Sequence, residues 1–238
     1  MEKRFLISFF LFFSLTNVFA INIKEINIEE QLHEYYATGT ENADVVQAWK
    51  TYTQKGGLEI DDVKDFFELS YVCSFYALAS DEIQKEFQTM NAHIKKLEKA
   101  ILKDSELSIL YFDYLWNQFS WSPDGFSIVS CLPKICKAVL KKESDNPDAK
   151  IRMAMWYSSA CGETTYLWNS YIRQNEELID SLDNKTKFNA CLQYAIFYMH
   201  IKDVKKSFYY LDKAEDIFPD ALQPLMLKEN FKKGRFGW

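Results

Sequence analysis

Glycine and proline, the residues on which tight turns depend most, are scarce in this chain. It has 7 Gly and 5 Pro among 238 residues, and no proline precedes Pro123. An average protein uses about 12% of its positions for this pair, and β-sheet proteins need such residues at turns every ~8–12 positions. Because 48% of the residues are hydrophobic, the chain can build a buried core. The sequence therefore predicts an all-α fold.

The first twenty residues have the layout of a secretory signal peptide. Lys3 and Arg4 precede an apolar run over 5–15, and Ala20 offers a small residue for peptidase cleavage. The run is shorter than the ~20 apolar residues of a membrane-spanning helix, so an uncleaved anchor is the less favoured alternative. We therefore expect removal of residues 1–20 and an exported mature protein, periplasmic or secreted, without a transmembrane span.

The charge balance argues against two classes of partner. The chain carries 28 Lys and Arg against 34 Asp and Glu, a formal net charge of -6. Loss of the signal peptide removes more basic than acidic residues and makes the charge more negative. A net acidic surface repels nucleic acid and anionic lipid. We expect no nucleic acid among the partners.

Apolar spacing and helix breakers divide the chain into helical segments. Ile83, Phe87 and Met90 follow one another at intervals of four and three, which places them on one helix face. Ser80 is suited to cap the start of that helix. Pro133, inside a predicted segment, either kinks its helix or marks the first turn. The predicted helices span 25–36, 42–54, 61–79, 81–103, 105–119, 127–143, 148–160, 165–181, 186–201 and 204–217.

The last two predicted helices carry a pattern of small and aromatic residues. The pattern consists of Cys191, Tyr194, Ala195, Tyr198, Ser207, Leu211, Ala214 and Pro219. Ala195 and Ser207 are small where the two helices cross, and Pro219 ends the second helix. This segment resembles the tetratricopeptide repeat (TPR), a helix pair of about 34 residues. The resemblance implies a right-handed TPR-like α-solenoid of stacked helix pairs.

Weaker copies of the pattern lie upstream. The spacing of its second helix recurs so that Ala100, Ala138 and Ala214 are separated by 38 residues and by twice 38. Such a recurrence is typical of repeat proteins. We therefore divide the chain into a signal peptide, an N-terminal helical cap, a TPR-like repeat domain and a C-terminal tail. These four regions span 1–20, 21–60, 61–220 and 221–238.

A signal peptide followed by TPR-like repeats is similar to the periplasmic TatT-like proteins that accompany TRAP transporters. The relevant segments here are 81–103 and Leu132-Pro133-Lys134, which leads into Ala138. The resemblance implies a role in envelope transport. Typical members of that group are lipoproteins, whereas the first cysteine of this chain is Cys73. Membrane anchoring and association with a transporter therefore do not follow from the resemblance.

No sequence motif for catalysis is present. The chain lacks a Gly-rich phosphate loop and the HExxH, GxSxG and CxxC motifs. Its 5 cysteines are odd in number and scattered, which is typical of small buried side chains rather than a disulfide framework, and its 3 histidines adjoin no cysteine. The acidic residues Asp61, Asp62, Asp65 and Glu68 suit the solvated start of a helix. We expect a non-enzymatic protein with no cofactor and no metal.

Aromatic residues make up 16% of the chain. Part of this surplus fills the seams between helices, and the remainder is available to line a groove. On the concave wall of the predicted solenoid, the candidate partner-binding residues are Ile151, Met155, Ser158, Leu192, Ile196 and Met199. The sequence thus predicts an interaction scaffold with a protein or peptide partner in the cell envelope. The alternative is a helical protein that holds an apolar small molecule in an aromatic-lined pocket.

Overall fold

The computed structural model describes residues 26–55, 57–159 and 169–235. These residues form helices and no strand, so the all-α prediction is confirmed. The predicted signal peptide and its cleavage site lie outside the described residues, as does Cys161. Within the described part, no helix combines the length and the apolar character needed to cross a membrane.

The observed helix boundaries follow the predicted ones closely. Two 3₁₀-helices lie between α-helices, at Ile60–Asp62 and Glu176–Ser181. The described α-helices, in chain order, are α1 (Ile28–Thr38), α2 (Ala43–Thr53), α3 (Val63–Tyr76), α4 (Asp81–Ile101), α5 (Ser105–Trp116), α6 (Gly125–Lys142), α7 (Pro147–Ser159), α8 (Asn169–Gln174), α9 (Asn184–His200), α10 (Val204–Ile217) and α11 (Leu222–Lys232).

Polar side chains fix where many helices begin. Asn27, Asn42, Ser80, Asp104 and Asp183 each precede a helix and accept a hydrogen bond from a backbone N–H of its first turn. The first N–H groups of a helix have no partner within the helix, and the loss of such a cap costs ~1 kcal/mol. The predicted cap at Ser80 is confirmed.

Helices α1, α3, α5, α7 and α9 form an inner ring. Helix α3 contacts α1 and α5, α7 contacts α5 and α9, and α9 returns to α1. Their first turns lie at one end of the ring, because Asn184 donates to Glu29 at 2.7 Å and Lys64 lies 2.5 Å from Glu106. Each even-numbered helix packs against neighbours in the ring, and α11 packs on α1, α9 and α10. The ring therefore has an N-terminal end at which the inner helices start.

Contacts between distant parts of the chain close this ring. Tyr36 of α1 stacks on Phe188 of α9, with ring centroids 4.7 Å apart. The side chain of Asn189 in α9 donates a hydrogen bond to the hydroxyl of Tyr71 in α3. The TPR resemblance implies an open stack whose two ends lie far apart. The open superhelix and its right-handed sense stay predictions.

The crossing of α9 and α10 agrees with the repeat pattern. The hydroxyl of Ser207 donates to the carbonyl oxygen of Ala195 at 2.8 Å, and both residues are fully buried. Two helices approach this closely only where small side chains meet. Leu211 and Ala214 are also fully buried, whereas Ala100 of the upstream copy is exposed. Of these two copies of the pattern, only the C-terminal one buries its alanine.

Pro133 lies inside α6, well after its start at Gly125, so it does not mark the first turn. Proline has no backbone N–H, and the carbonyl of Val129, four residues earlier, therefore lacks its helical donor. The indole Nε1 of Trp156 in α7 donates to that carbonyl at 2.8 Å. The neighbouring helix supplies the hydrogen bond that the proline removes.

The predicted C-terminal tail contains a helix, α11, whose Leu227 and Phe231 are buried.

The cysteines agree with the expectation of unpaired small side chains. Among the described residues, Cys73, Cys136 and Cys191 are buried and free, and Cys131 is half-buried and free.

We expect Ala195→Leu to lower the free energy of unfolding by roughly 1–3 kcal/mol, because a larger side chain forces α9 away from α10. Ser207→Ala removes one buried hydrogen bond and should cost about 1 kcal/mol. Urea unfolding followed by circular dichroism measures both. Lys205→Leu, at an exposed position of α10, is the control. Parent-like stability of Ala195→Leu would contradict the close crossing.

Candidate functional site

An open cleft of about 670 Å³ lies at the N-terminal end of the ring. Its walls come from α3, from the first turns of α5, α7 and α9, and from the loop between α6 and α7. The cations Arg152 and Lys185 line it together with the apolar side chains of Ile109 and Leu110. Six carboxylates also line it, those of Glu68, Asp104, Glu106, Glu143, Asp148 and Asp183.

Helix capping explains why acidic residues gather at this end. Asp104 accepts a hydrogen bond from the N–H of Leu107 at 2.9 Å, and Asp183 accepts one from Thr186 at 2.9 Å. The start of a helix carries a partial positive charge that carboxylates offset. Because the inner helices run parallel, their acidic first turns collect at one end of the ring.

Arg152 of α7 lies at the floor of the cleft, with 2% of its surface exposed. Its guanidinium donates to both carboxylate oxygens of Asp113 in α5, at 2.8 and 2.6 Å. It also donates to the side chain and the backbone carbonyl of Asp148, at 2.6 and 3.4 Å, and to the Thr186 hydroxyl of α9 at 3.1 Å. All five N–H groups are therefore paired, and one side chain joins three inner helices.

The two carboxylates also fix the charge of this arginine. Burial lowers the pKa of Arg152, but the negative charges and hydrogen bonds of Asp113 and Asp148 outweigh it, so that its pKa is raised. The guanidinium stays charged, and Asp113 and Asp148 serve as its counter-ions. They are therefore engaged in structure rather than free for a ligand.

The remaining cleft carboxylates are engaged to different degrees. Glu106 accepts a hydrogen bond from Lys64 at 2.5 Å. Burial raises the pKa of Asp183, but the hydrogen bonds from Thr186 and nearby cations outweigh it and lower that pKa. Hydrogen bonds from Ser105 and Asn146 lower the pKa of Glu143.

Four of the six cleft carboxylates, those of Glu68, Asp104, Glu143 and Asp183, form no ion pair within the described part of the chain. Glu68 lies on α3 and Glu143 lies just after α6, so they reach the cleft from different walls. The Nζ atom of Lys185 lies 4.4 Å from the ring centre of Tyr71, so that this cation is directed to an aromatic face. The lining of the cleft thus carries more carboxylates than cations, which favours a cationic ligand.

The six residues predicted to line a concave groove lie in the core. They belong to the inner helices α7 and α9, and their side chains are buried. The described surface therefore has no groove formed by them. Their exposed fraction is 7% or less in every case, for Ile151, Met155, Ser158, Leu192, Ile196 and Met199.

The acidic group at the start of α3 separates in the structure. Asp61 is exposed and Asp62 is half-buried, as expected for acids at a helix start. Tyr52 donates to Asp65 at 3.5 Å, and Glu68 lines the cleft. They do not form one site. His200 ends α9 at an exposed position.

A second polar cluster fastens the 3₁₀-helix Glu176–Ser181 to α9 and α10. Glu176 accepts hydrogen bonds from the hydroxyls of Tyr198 and Tyr210, each at 2.6 Å, and from Lys206 at 2.9 Å. Burial raises the pKa of Glu176, but these donors outweigh it and lower that pKa. Burial and the Glu176 carboxylate raise the pKa of Tyr198 to about 12. Because hydrogen-bond donors of the protein itself surround the Glu176 carboxylate, its role is structural.

Within residues 26–55, 57–159 and 169–235, no group of three His, Cys, Asp or Glu side chains is arranged to hold a metal ion. Comparisons of the chain with protein-family models, with curated proteins and with solved structures found no match. The TPR and TatT-like resemblances therefore rest on the residue patterns alone.

We expect Arg152→Met to lower the free energy of unfolding by about 3–5 kcal/mol, because it leaves the buried Asp113 without its counter-ion. Lys150→Met is the control in the same helix, since Lys150 pairs with Asp145, whose side chain is 94% exposed. Such a surface pair is worth below about 1 kcal/mol. Urea unfolding compares the two variants. Equal losses would show that the Arg152 network does not organise the ring.

The Glu176 cluster predicts a pH dependence of stability. A carboxyl whose pKa is lowered on folding stabilises the protein above its unfolded pKa, and this contribution disappears as the pH falls through the folded value. We expect Glu176→Gln to cost roughly 1–3 kcal/mol at neutral pH and to weaken the further loss of stability below about pH 4. Thermal unfolding across that range measures this effect. Glu177→Gln, at the exposed neighbouring position, should behave like the parent.

Proposed function

We propose that this chain is an exported, non-enzymatic binding protein of the cell envelope, whose cleft holds a positively charged segment of a partner protein. The observation that carries the proposal is the lining of the cleft, in which six carboxylates face two cations. One of these cations, Arg152, is already neutralised by its own counter-ions. A lysine or arginine of a partner would meet Glu68 and Glu143 there.

The size of the cleft supports a role in binding. Its volume of about 670 Å³ falls within the ~300–1,000 Å³ that is typical of binding sites. The apolar Ile109 and Leu110 can contact the aliphatic stem of a long basic side chain while its charged head meets the carboxylates. A cleft open to solvent also admits a segment of a larger partner.

We further propose that the fold derives from TPR-like helix pairs whose solenoid has closed on itself. The Ala195–Ser207 crossing supports this origin, because it places small residues where the repeat pattern requires them. Closure covers the concave wall, and the end of the ring then takes over the role of the groove. The signal-peptide pattern supports export, and the TatT-like resemblance suggests a component of envelope transport as the partner.

The alternative, a protein that holds an apolar small molecule, has less support. The hypothesis of an apolar ligand rested on the high content of aromatic residues. Many of these aromatic side chains pack on one another in the core. Phe66 and Phe67 contact Tyr114 with ring centroids 5.7 and 5.0 Å apart, and Trp49 contacts Phe87 at 4.7 Å. Core packing therefore accounts for many of the aromatic residues, although Phe126 and Tyr209 are exposed.

The test measures fluorescence anisotropy of a labelled peptide of Lys, Arg and Gly residues, with a peptide of Glu and Gly residues for comparison. We expect the basic peptide to bind, with an affinity that falls as salt rises. Glu68→Gln/Glu143→Gln should weaken binding by about fivefold to tenfold, which corresponds to roughly 1 kcal/mol.

The control for this experiment removes the same charge elsewhere. Glu34→Gln/Glu177→Gln alters two exposed carboxylates that do not line the cleft, and we expect parent-like affinity. If both double variants lose affinity equally, net charge rather than the cleft attracts the peptide. Equal binding of the acidic peptide would also overturn the proposal.

A further inference from the structure

Helix α11 presents apolar side chains on two sides. Leu227 and Phe231 are buried against the ring, whereas Leu222, Leu225 and Met226 are 47%, 51% and 55% exposed. The exposed three are spaced three and four residues apart, which puts them on one face of the helix. Exposed apolar side chains scattered singly are common, but three in a row on one helix face are typical of a contact surface.

The charges beside this stripe differ between its two ends. Asp220 precedes the helix, and its side chain is 77% exposed. Lys232 and Lys233 lie at the other end and are also exposed. At 100° per residue, Glu229 and Lys233 fall on the same helix face as Leu222. An acidic side chain, Asp220, therefore lies before the start of the stripe, and Lys233, paired with Glu229, lies at its other end.

We propose that α11 binds α11 of a second copy of this chain in an antiparallel contact with two-fold symmetry. In such a contact the same surface meets itself, so Leu225 and Met226 of both copies lie around the axis. The antiparallel direction brings Lys233 of each copy to Asp220 of the other, which forms two complementary pairs. A parallel arrangement would instead bring like charges together.

The start of α11 gives a further reason for this direction. Ala221 precedes the helix, and no side chain caps the N–H groups of its first turn. In the antiparallel contact, Glu229 of one copy faces the first turn of the other, where a carboxylate is favoured. Within one copy, Asp220, Glu229 and Lys233 form only weak ion pairs, which compete little with pairs between two copies. Asp220 lies 3.8 Å from His33, and the pair between Glu229 and Lys233 is exposed, at 3.4 Å.

The expected dimer is weak and reversible. Helix α11 has 11 residues and is therefore only about 16 Å long. A contact of two such helices buries less than the ~1,200–2,000 Å² of a stable interface. The contact does not involve the cleft, so this inference is independent of the proposed function.

Sedimentation velocity over a series of concentrations tests the contact. The protein is purified after export from an expression host, so that its N-terminus is the native one. We expect a reversible shift from monomer to dimer as concentration rises. Met226→Lys should weaken the dimer about tenfold or more, because it places two cations beside the axis. Leu78→Lys, at a position 58% exposed after α3, should leave it unchanged.

Charge exchange tests the antiparallel direction. Asp220→Lys and Lys233→Glu should each weaken self-association, because each turns both pairs into repulsive ones. A mixture of the two variants should recover the dimer, since the mixed pair restores opposite charges at both contacts. A chain that stays monomeric throughout, growth beyond dimers, an unaffected Met226→Lys variant, or a mixture that fails to recover would overturn the proposal.

Discussion

The inner ring depends on one buried guanidinium. A charge inside a protein is tolerated only when its hydrogen bonds are complete, and Arg152 completes them with acceptors from α5, α7 and α9. Each acceptor comes from a different helix or a different turn, so the three helices must hold one register for all five bonds to form. The side chains that form the floor of the cleft are positioned by this network.

Closure of the ring and the acidity of its end are consequences of the same arrangement. The inner helices run parallel, and α1, α5, α7 and α9 each begin at a side chain that accepts from a free N–H group of the first turn. Asn184 and Glu29, which are far apart in the chain, meet at that end across the point of closure. The N-terminal end of the ring brings the first turns of the inner helices to the solvent-open cleft.

Local patterns predicted much of the fold. The scarcity of glycine and proline predicted helices, apolar spacing placed most of their ends within a few residues, and the small pair Ala195 and Ser207 marked a helix crossing that the structure contains. These features depend on neighbours in sequence or on one helix pair. Helix α11 lies in the segment 221–238, for which a tail and no helix was predicted, and its Pro224 lies in the first turn, where proline fits.

Closure of the ring was beyond the reach of local patterns. The residues predicted to line a groove, such as Met155 and Ile196, are buried, whereas the contact of Tyr36 with Phe188 joins helices that are far apart in the chain. The sequence indicates the importance of Arg152 only in part. It shows a cation inside an apolar stretch, with Asp148 four residues earlier. Its main partner, Asp113, is 39 residues away, and no spacing rule connects the two.

The exchange of hydrogen bonds at Pro133 links two positions in the evolution of this chain. With alanine at 133, the backbone N–H of residue 133 would donate to the Val129 carbonyl. The indole N–H of Trp156 would then share that oxygen with a second donor. Without the tryptophan, the carbonyl beside the proline would have no donor from α7. Neither replacement alone restores the balance, so positions 133 and 156 should covary as such sequences diverge.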